Sequence, residues 1–384
     1  MLRPDRQLSI LAPTRYPWTF NGPRNSRHSV QNRDFLPVNK ISEKLEGFTA
    51  FNPWPVRRFD LIHAFNRIPL SRTPFVIGFE SHLPRAFGLE GSAYWRALTA
   101  ALLSPRCRAI VAISDFARHS FLHQHRGEVC EALAAKLHRR YPNLPMGGAD
   151  LAGDLAQGGC IRLVFVGNHF ARKGGCVALR LAELTRRRGM EVELDIVSDL
   201  TMGATVWTDP TEAEAVAPYL KLLELPGVRL HRDLPNAEVQ VLLRRAHFSL
   251  LPTFSDTFGF SVIESMAHHT PAICTTQGAL TEFVSDGTDG ILLDLPVDGF
   301  REWAPFKTMR RDSPAFRTVW TETVERLAAE AFSRMAAVTS DPGLYRAMRQ
   351  NCRATAERLF APADANAFWD GMYERAVQGV VGRG

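Results

Sequence analysis

The apolar run Ile161–Val166 (IRLVFV), stopped by Gly167 and followed after a polar loop by helically spaced apolar residues over 177–188, leaves this chain few architectures. A run this short between turn signals reads as a strand buried on both faces. Such a strand belongs in a parallel sheet covered by crossover helices, so the chain is expected to be α/β and doubly wound. Short apolar runs at 8–12, 59–64, 75–79 and 109–113 repeat the signal upstream, the last leading into a helix from about Ser114.

The loop after 161–166 carries Arg172 and Lys173. Two adjacent cations at a strand-to-helix crossover suit a pyrophosphate, although a single Arg-Lys pair is more often plain surface charge. A second segment, 252–271 (PTFSDTFGFSVIESMAHHTP), supplies a context for them. After Gly259 the apolar residues Phe260, Val262, Ile263, Met266 and Ala267 recur with helical spacing, so a helix opens near 257–259. Its first amides lack intrahelical partners, and its dipole favours an anion there. Asp256 lies just before this helix and Glu264 about one and a half turns into it, roughly 10 Å apart at 1.5 Å rise per residue. That is about the span between the ribose and the hexose of a nucleoside diphospho-sugar. Alone, the pair serves equally well as an N-terminal cap and a solvated acid on an amphipathic helix. With two cations ahead of it in the same αβ array, an anion site flanked by hydroxyl-binding acids is the better reading.

These segments, together with 277–293 (QGALTEFVSDGTDGILL), resemble the carboxy-terminal half of the family four (group 1) retaining glycosyltransferases of the GT-B fold. The resemblance covers roughly 161–293 and implies two Rossmann-like doubly wound domains facing across a cleft. It implies that Asp256 and Glu264 occupy the place of the family's E-x7-E motif, with Asp256 meeting the donor sugar and Glu264 the ribose hydroxyls. Arg172 and Lys173 would hold the diphosphate, and the backbone of Thr257, Phe258, Gly259 and Phe260 the phosphate and sugar. Similar enzymes carry a His facing the donor sugar where strand register here places Glu80, with His82 as the alternative; Gly22, in the loop after the first strand, is expected on the donor side. The implied reaction is transfer of a sugar from a nucleotide-sugar donor to a glycan or lipid-linked acceptor with retention of configuration, without a bound metal or covalent nucleophile. The chain departs from the family at Asp256, one methylene shorter than the usual Glu, and at Asn168, Ser198 and His269, where Arg, Gly and Gly are usual. The short acid keeps a second reading open, a catalytically weak nucleotide-sugar-binding protein on the same scaffold.

At 384 residues, 45% hydrophobic and 22% charged, the chain can bury two cores. The expected division is an acceptor-side domain over 1–150, a donor-binding domain over 151–362 and a final helix over 363–384. Residues 24–58 are polar and Pro-containing, so the first domain is expected to be abbreviated or rearranged there. A linker is expected at 141–159 and a cleft loop or surface insertion at 296–314. Phe368, Trp369, Met372 and Tyr373 mark a docking face on the last helix, either against the first domain or against its own. Residues 1–150 hold 21 Lys and Arg against 11 Asp and Glu, a balance of +10 in a chain of net +6. That excess fits an anionic acceptor or peripheral contact with an anionic membrane, and equally a solvated basic face. No basic and aromatic residues interleave as in a nucleic-acid module, so no nucleic-acid partner is expected. Six scattered cysteines read as reduced thiols, and without a signal-peptide pattern or an apolar run of spanning length a cytoplasmic protein is expected. His119 and His123 share a helix face, but no acid completes a zinc motif beside them.

Overall fold

The computed structural model describes residues 6–14, 18–34, 46–49, 58–148, 150, 152–155 and 159–379. The chain divides into two compact units, Met1–Leu144 with Phe360–Gly384, and Pro145–Leu359.

In the first unit, strands β1 (Ser9–Pro13), β2 (Ser29–Arg33), β4 (Leu61–Phe65), β6 (Phe75–Phe79), β7 (Cys107–Ala112) and β8 (Leu137–Arg139) form a six-stranded sheet in the order β2-β1-β4-β6-β7-β8. Every pairing in it is parallel. A short parallel pair, β3 (Phe48–Thr49) with β5 (Ile68–Pro69), lies outside this sheet. Strands β4 and β6 are buried at every position, which requires cover on both faces. Helices α1 (Ala93–Leu103), α2 (Asp115–Gln124) and α3 (Gly127–Ala134) belong to this unit, the first two capped by the Ser92 and Ser114 side chains. The expectation that 24–58 lacks a clear strand is corrected by β2. Its sequence SVQNR is polar because it is an edge strand whose residues are half-buried or exposed, so no apolar run announces it. Most of that stretch, 35–45 and 50–57, lies outside the described residues.

In the second unit, β9 (Ile161–Val166), β10 (Val192–Val197), β11 (Val228–His231), β12 (Phe248–Leu251), β13 (Ala272–Thr275) and β14 (Gly290–Leu293) form a second parallel sheet, ordered β11-β10-β9-β12-β13-β14. Its helices are α4 (Gly175–Arg187), α5 (Ala217–Leu220), α6 (Asn236–Arg245), α7 (Phe260–Met266), α8 (Ala304–Thr308), α9 (Pro314–Thr339) and α10 (Pro342–Phe360). Residues 296–314 do more than form a surface insertion. Trp303 is fully buried, with its ring centroid 4.9 Å from Phe254 and 5.6 Å from Phe316, so this stretch seals the core beside α9.

The last helix, α11 (Pro362–Gln378), belongs to the first unit. Ala365, Trp369, Met372, Tyr373 and Ala376 pack with Leu8, Ile10, Leu61, Val76, Ala109 and Val111. Burying each of the two large aromatics stabilises by about 2–3 kcal/mol. The opposite side of the contact is polar: Asn366 Oδ1 accepts from the Arg24 and Asn25 amides at 2.8 and 3.1 Å, and Asp370 accepts from Ser26 Oγ at 2.5 Å and the Arg27 amide at 3.1 Å. His63, wholly buried on β4, bonds the Tyr373 hydroxyl at 2.7 Å and lies against Trp18 and Trp369.

Candidate functional site

The second sheet is built outward from β9 to β11, after which the chain returns to lay β12 on the other side of β9. At such a reversal the loops leaving two adjacent strands diverge, and their carboxyl ends frame the ligand crevice of a doubly wound sheet. The loop after β9 carries Arg172 and Lys173, and the loop after β12 carries Asp256 and Thr257.

The two loops are locked together by backbone. Gly174 has φ 89°, and a Cβ added there would stand 2.1 Å from the Pro252 carbonyl oxygen, so only glycine fits. The Phe254 amide donates to the Arg172 carbonyl at 2.9 Å, with the Thr253 hydroxyl 3.0 Å from the same oxygen. Thr275 on β13 donates to the Thr253 carbonyl at 2.7 Å, and the buried Gln277 accepts from the Asp256 amide at 2.7 Å.

Within this frame Arg172 Nη1 donates to the Ser255 carbonyl at 2.8 Å and its Nη2 meets His169 Nδ1 at 2.9 Å. Lys173 Nζ forms an ion pair with Asp256 Oδ2. Burial opposes ionisation of the Asp256 carboxyl, yet the charges of Lys173 and Arg172 and the bonds from Lys173 and the Phe258 amide outweigh it and hold the group below the usual carboxylate range. His169 is pushed down by burial and by Arg172 and Lys173, which keeps its ring neutral and its Nδ1 an acceptor.

Gly259, at φ 93°, opens α7, where an added Cβ would lie 2.5 Å from Leu280. The expectation for 257–260 needs refinement. The Phe258 amide already donates to Asp256 Oδ1 at 3.2 Å, and the Phe258 and Phe260 rings pack on one another with Phe283 behind. No hydrogen bond from the Thr257 or Gly259 amide is found among the described residues.

Glu264 is half-buried on α7, where Gln240 Nε2 donates to its Oε1 at 2.9 Å. Burial pushes its carboxyl up to about 7, against the opposing pull of that hydrogen bond. The reading of Glu264 as a solvated acid therefore fails, because α6 packs against this side of α7.

Residues absent from the sequence reading complete the neighbourhood. Asp209, fully buried in the loop after β10, accepts from the Gly203 amide at 3.1 Å, and burial pushes its carboxyl up to about 6 against the charges of Arg172 and Arg311. His169 pairs with Thr201 in a parallel bridge, which ties that loop to the cation loop. Gln240 and Gln277 carry no charge and no periodic signal, and only the fold brings them to the acids.

Glu80 and Gly22 belong to the first unit. Glu80 Oε1 accepts from Arg85 Nη2 at 2.6 Å and from Asn66 Nδ2 at 3.1 Å, so it is a bonded carboxylate at the carboxyl end of β6. His82 is exposed. Gly22 is buried against Trp18, where an added Cβ would lie 2.6 Å from the ring. Among the described residues no group of three or more His, Cys, Asp or Glu could hold a metal, and no helix is long and apolar enough to cross a membrane.

Residues 160–302 match the family model described as glycosyl transferases group 1. A D-inositol 3-phosphate glycosyltransferase from Arthrobacter sp. is 28% identical over 162 residues, 41% of this chain and 36% of that protein. This chain thus spans little more than a third of that relative's length. A glycosyltransferase from Rickettsia africae shares the fold over 97% of this chain and 99% of its own, with a TM-score of 0.60 at 11% identity. HepE from Anabaena, solved in complex with UDP, does so over 96% and 100%, with a TM-score of 0.59 at 13% identity.

Proposed function

With residues 160–302 belonging to the group 1 glycosyltransferases, on a chain of two Rossmann-like units with the GT-B fold, we propose that this protein transfers a sugar from a nucleoside diphospho-sugar to a glycan or lipid-linked acceptor with retention of configuration. The observation that carries this reading is the Lys173–Asp256 pair, formed between the two loops that diverge at the β9/β12 reversal. It brings together a phosphate-seeking cation and a hydroxyl-seeking acid where a doubly wound sheet receives its ligand.

In this reading Arg172 and Lys173 take the diphosphate, Asp256 a hydroxyl of the sugar and Glu264 the ribose. As the bond to the leaving phosphate breaks, negative charge grows on its oxygens, and two cations preset by the Ser255 carbonyl and Asp256 stabilise it without reorganising. The acceptor is read as anionic, bound by the half of the chain that carries +10 over residues 1–150, with contact to an anionic membrane on the cytoplasmic side as its source. The curated relative's name, which contains an inositol phosphate, supports an acceptor of that charge.

The experiment is release of nucleoside diphosphate from a panel of nucleotide sugars by the purified protein, with and without candidate acceptors. One donor should turn over, and Arg172→Ala with Lys173→Ala should weaken its binding at least a hundredfold if each cation contributes about 1.5–3 kcal/mol. Tight donor binding with neither transfer nor hydrolysis would favour the binding-protein alternative.

A further inference from the structure

Glu264 has a second layer behind it. Gln240, on α6, donates from Nε2 to Glu264 Oε1 at 2.9 Å and to Asn236 Oδ1 at 3.1 Å, and its own Oε1 lies 2.7 Å from His268 Nε2. Both partners of the amide nitrogen are acceptors, so the amide oxygen faces His268 and the imidazole carries its proton on Nε2.

His268 is clamped in that role. Its Nδ1 is buried without a hydrogen bond, against Gly147, where an added Cβ would stand 1.9 Å from it. Arg353, on α10, donates to the Gly147 carbonyl at 3.0 Å and to that of Ala267. The charged and titratable groups facing the ring are Arg244 from α6, Arg353 from α10 and the adjacent His269, and with burial they push it down to about 4. Neutral His268 therefore keeps one tautomer across the physiological range and fixes which end of the Gln240 amide meets Glu264. Glu264 Oε2 accepts no hydrogen bond from a described residue, and no described cation pairs with the carboxylate.

We propose that Gln240 and His268 are positioning residues that hold Glu264 with one oxygen occupied and the other presented to a ligand bearing vicinal hydroxyls. This rests on the reading of Glu264 as the ribose-side acid. The arrangement has a consequence beyond geometry. Burial leaves the carboxyl near neutrality, so a diol that donates to it selects the ionised form, and nucleotide affinity rises with pH through about 7. Gln240 donates to the ionised form, so removing that donor moves the midpoint upward.

The test is calorimetric titration of the full chain with UDP, GDP, ADP and inorganic pyrophosphate from about pH 5.5 to about pH 9, a range that brackets that midpoint. Wild type is compared with Gln240→Leu, the near-isosteric Gln240→Glu, and His268→Phe. The expected result is a nucleotide affinity that rises with pH, a midpoint displaced upward in both Gln240 variants, and a loss of roughly tenfold near neutrality in Gln240→Leu. Pyrophosphate, which has no hydroxyl pair, should bind all four proteins alike. His268→Phe should shift the midpoint in the same direction by freeing the amide to turn. Nucleotide binding with an unchanged midpoint and an unchanged ratio to pyrophosphate in Gln240→Glu and Gln240→Leu would overturn the positioning role and leave the donor site standing. Failure of wild type to bind any of the three nucleotides would overturn both.

Discussion

Asp256 and Glu264 lie on one short segment yet are displaced in opposite directions, because burial is outweighed by the charges of Lys173 and Arg172 at the first, whereas at the second it is opposed only by the hydrogen bond from Gln240. Two carboxyls pushed apart by their surroundings can take different roles, one permanently ionised and one near neutrality. Lys173→Met strands a buried carboxylate and should cost about 3 kcal/mol, whereas Lys173→Met with Asp256→Asn should recover part of it; urea denaturation of wild type, Lys173→Met, Asp256→Asn and the double variant measures the coupling. Glu264→Gln works in the other direction. An acid whose folded pKa is raised contributes stability that is complete below its unfolded value, about 4.5, and lost as pH rises through about 7. Glu264→Gln should therefore gain on wild type over that window and be more stable at pH 8 by on the order of 2 kcal/mol, while binding nucleotide more weakly. A thermal melt series against pH checks the first half and calorimetry the second. Asp256, Glu264, Arg172 and Lys173 were legible in the sequence because charge beside an apolar run is conspicuous. Gln240, Gln277 and His268 were not, since a neutral amide on a helix face looks the same whether it meets water or a carboxylate.

Two glycines show how the elements hold the site. Gly174 and Gly189 bracket α4, both with positive φ, but an added Cβ meets the Pro252 carbonyl at the first and nothing within 4 Å at the second. Gly189→Ala should cost only the left-handed strain, about 1 kcal/mol, whereas Gly174→Ala must also push the β9 loop off the β12 loop, a cost of about 3 kcal/mol or more. Nucleotide binding should survive the first change and fail in the second, as fluorescence titration of folded protein would show. Strands β1, β4, β6, β7 and β9 and helices α2, α4, α7 and α11 could be read from sequence because burial on both faces, or on one helical stripe, writes itself as apolar spacing. Strand β2 could not, since its order comes from pairing with β1 rather than from its own side chains.

Across the whole molecule, both units conceal histidines that cannot charge in place. Burial pushes His63 in the first unit and His247 in the second down to about 3, and His268 down to about 4. A histidine with a depressed folded pKa contributes stability that is present above its unfolded value, about 6.5, and lost as pH falls toward the folded one. Stability should therefore decline from about pH 6.5 downward, by up to about 1.4 kcal/mol per pH unit for each such group. His63→Gln should flatten the slope of the first unit alone, followed by its tryptophan fluorescence, provided the Tyr373 hydroxyl keeps a partner. The place of α11 bears on the history of the chain as well as on its equilibrium. On a ribosome, residues up to Leu144 emerge before the second unit, but the helix that covers Leu8, Ile10, Leu61 and Val76 is made only after it. The later-made unit has all its strands before the earlier one can close. During synthesis the older half must wait with an oily face uncovered until α11 is made, which makes it the natural client of a chaperone and a unit whose completion depends on a helix encoded beyond the other.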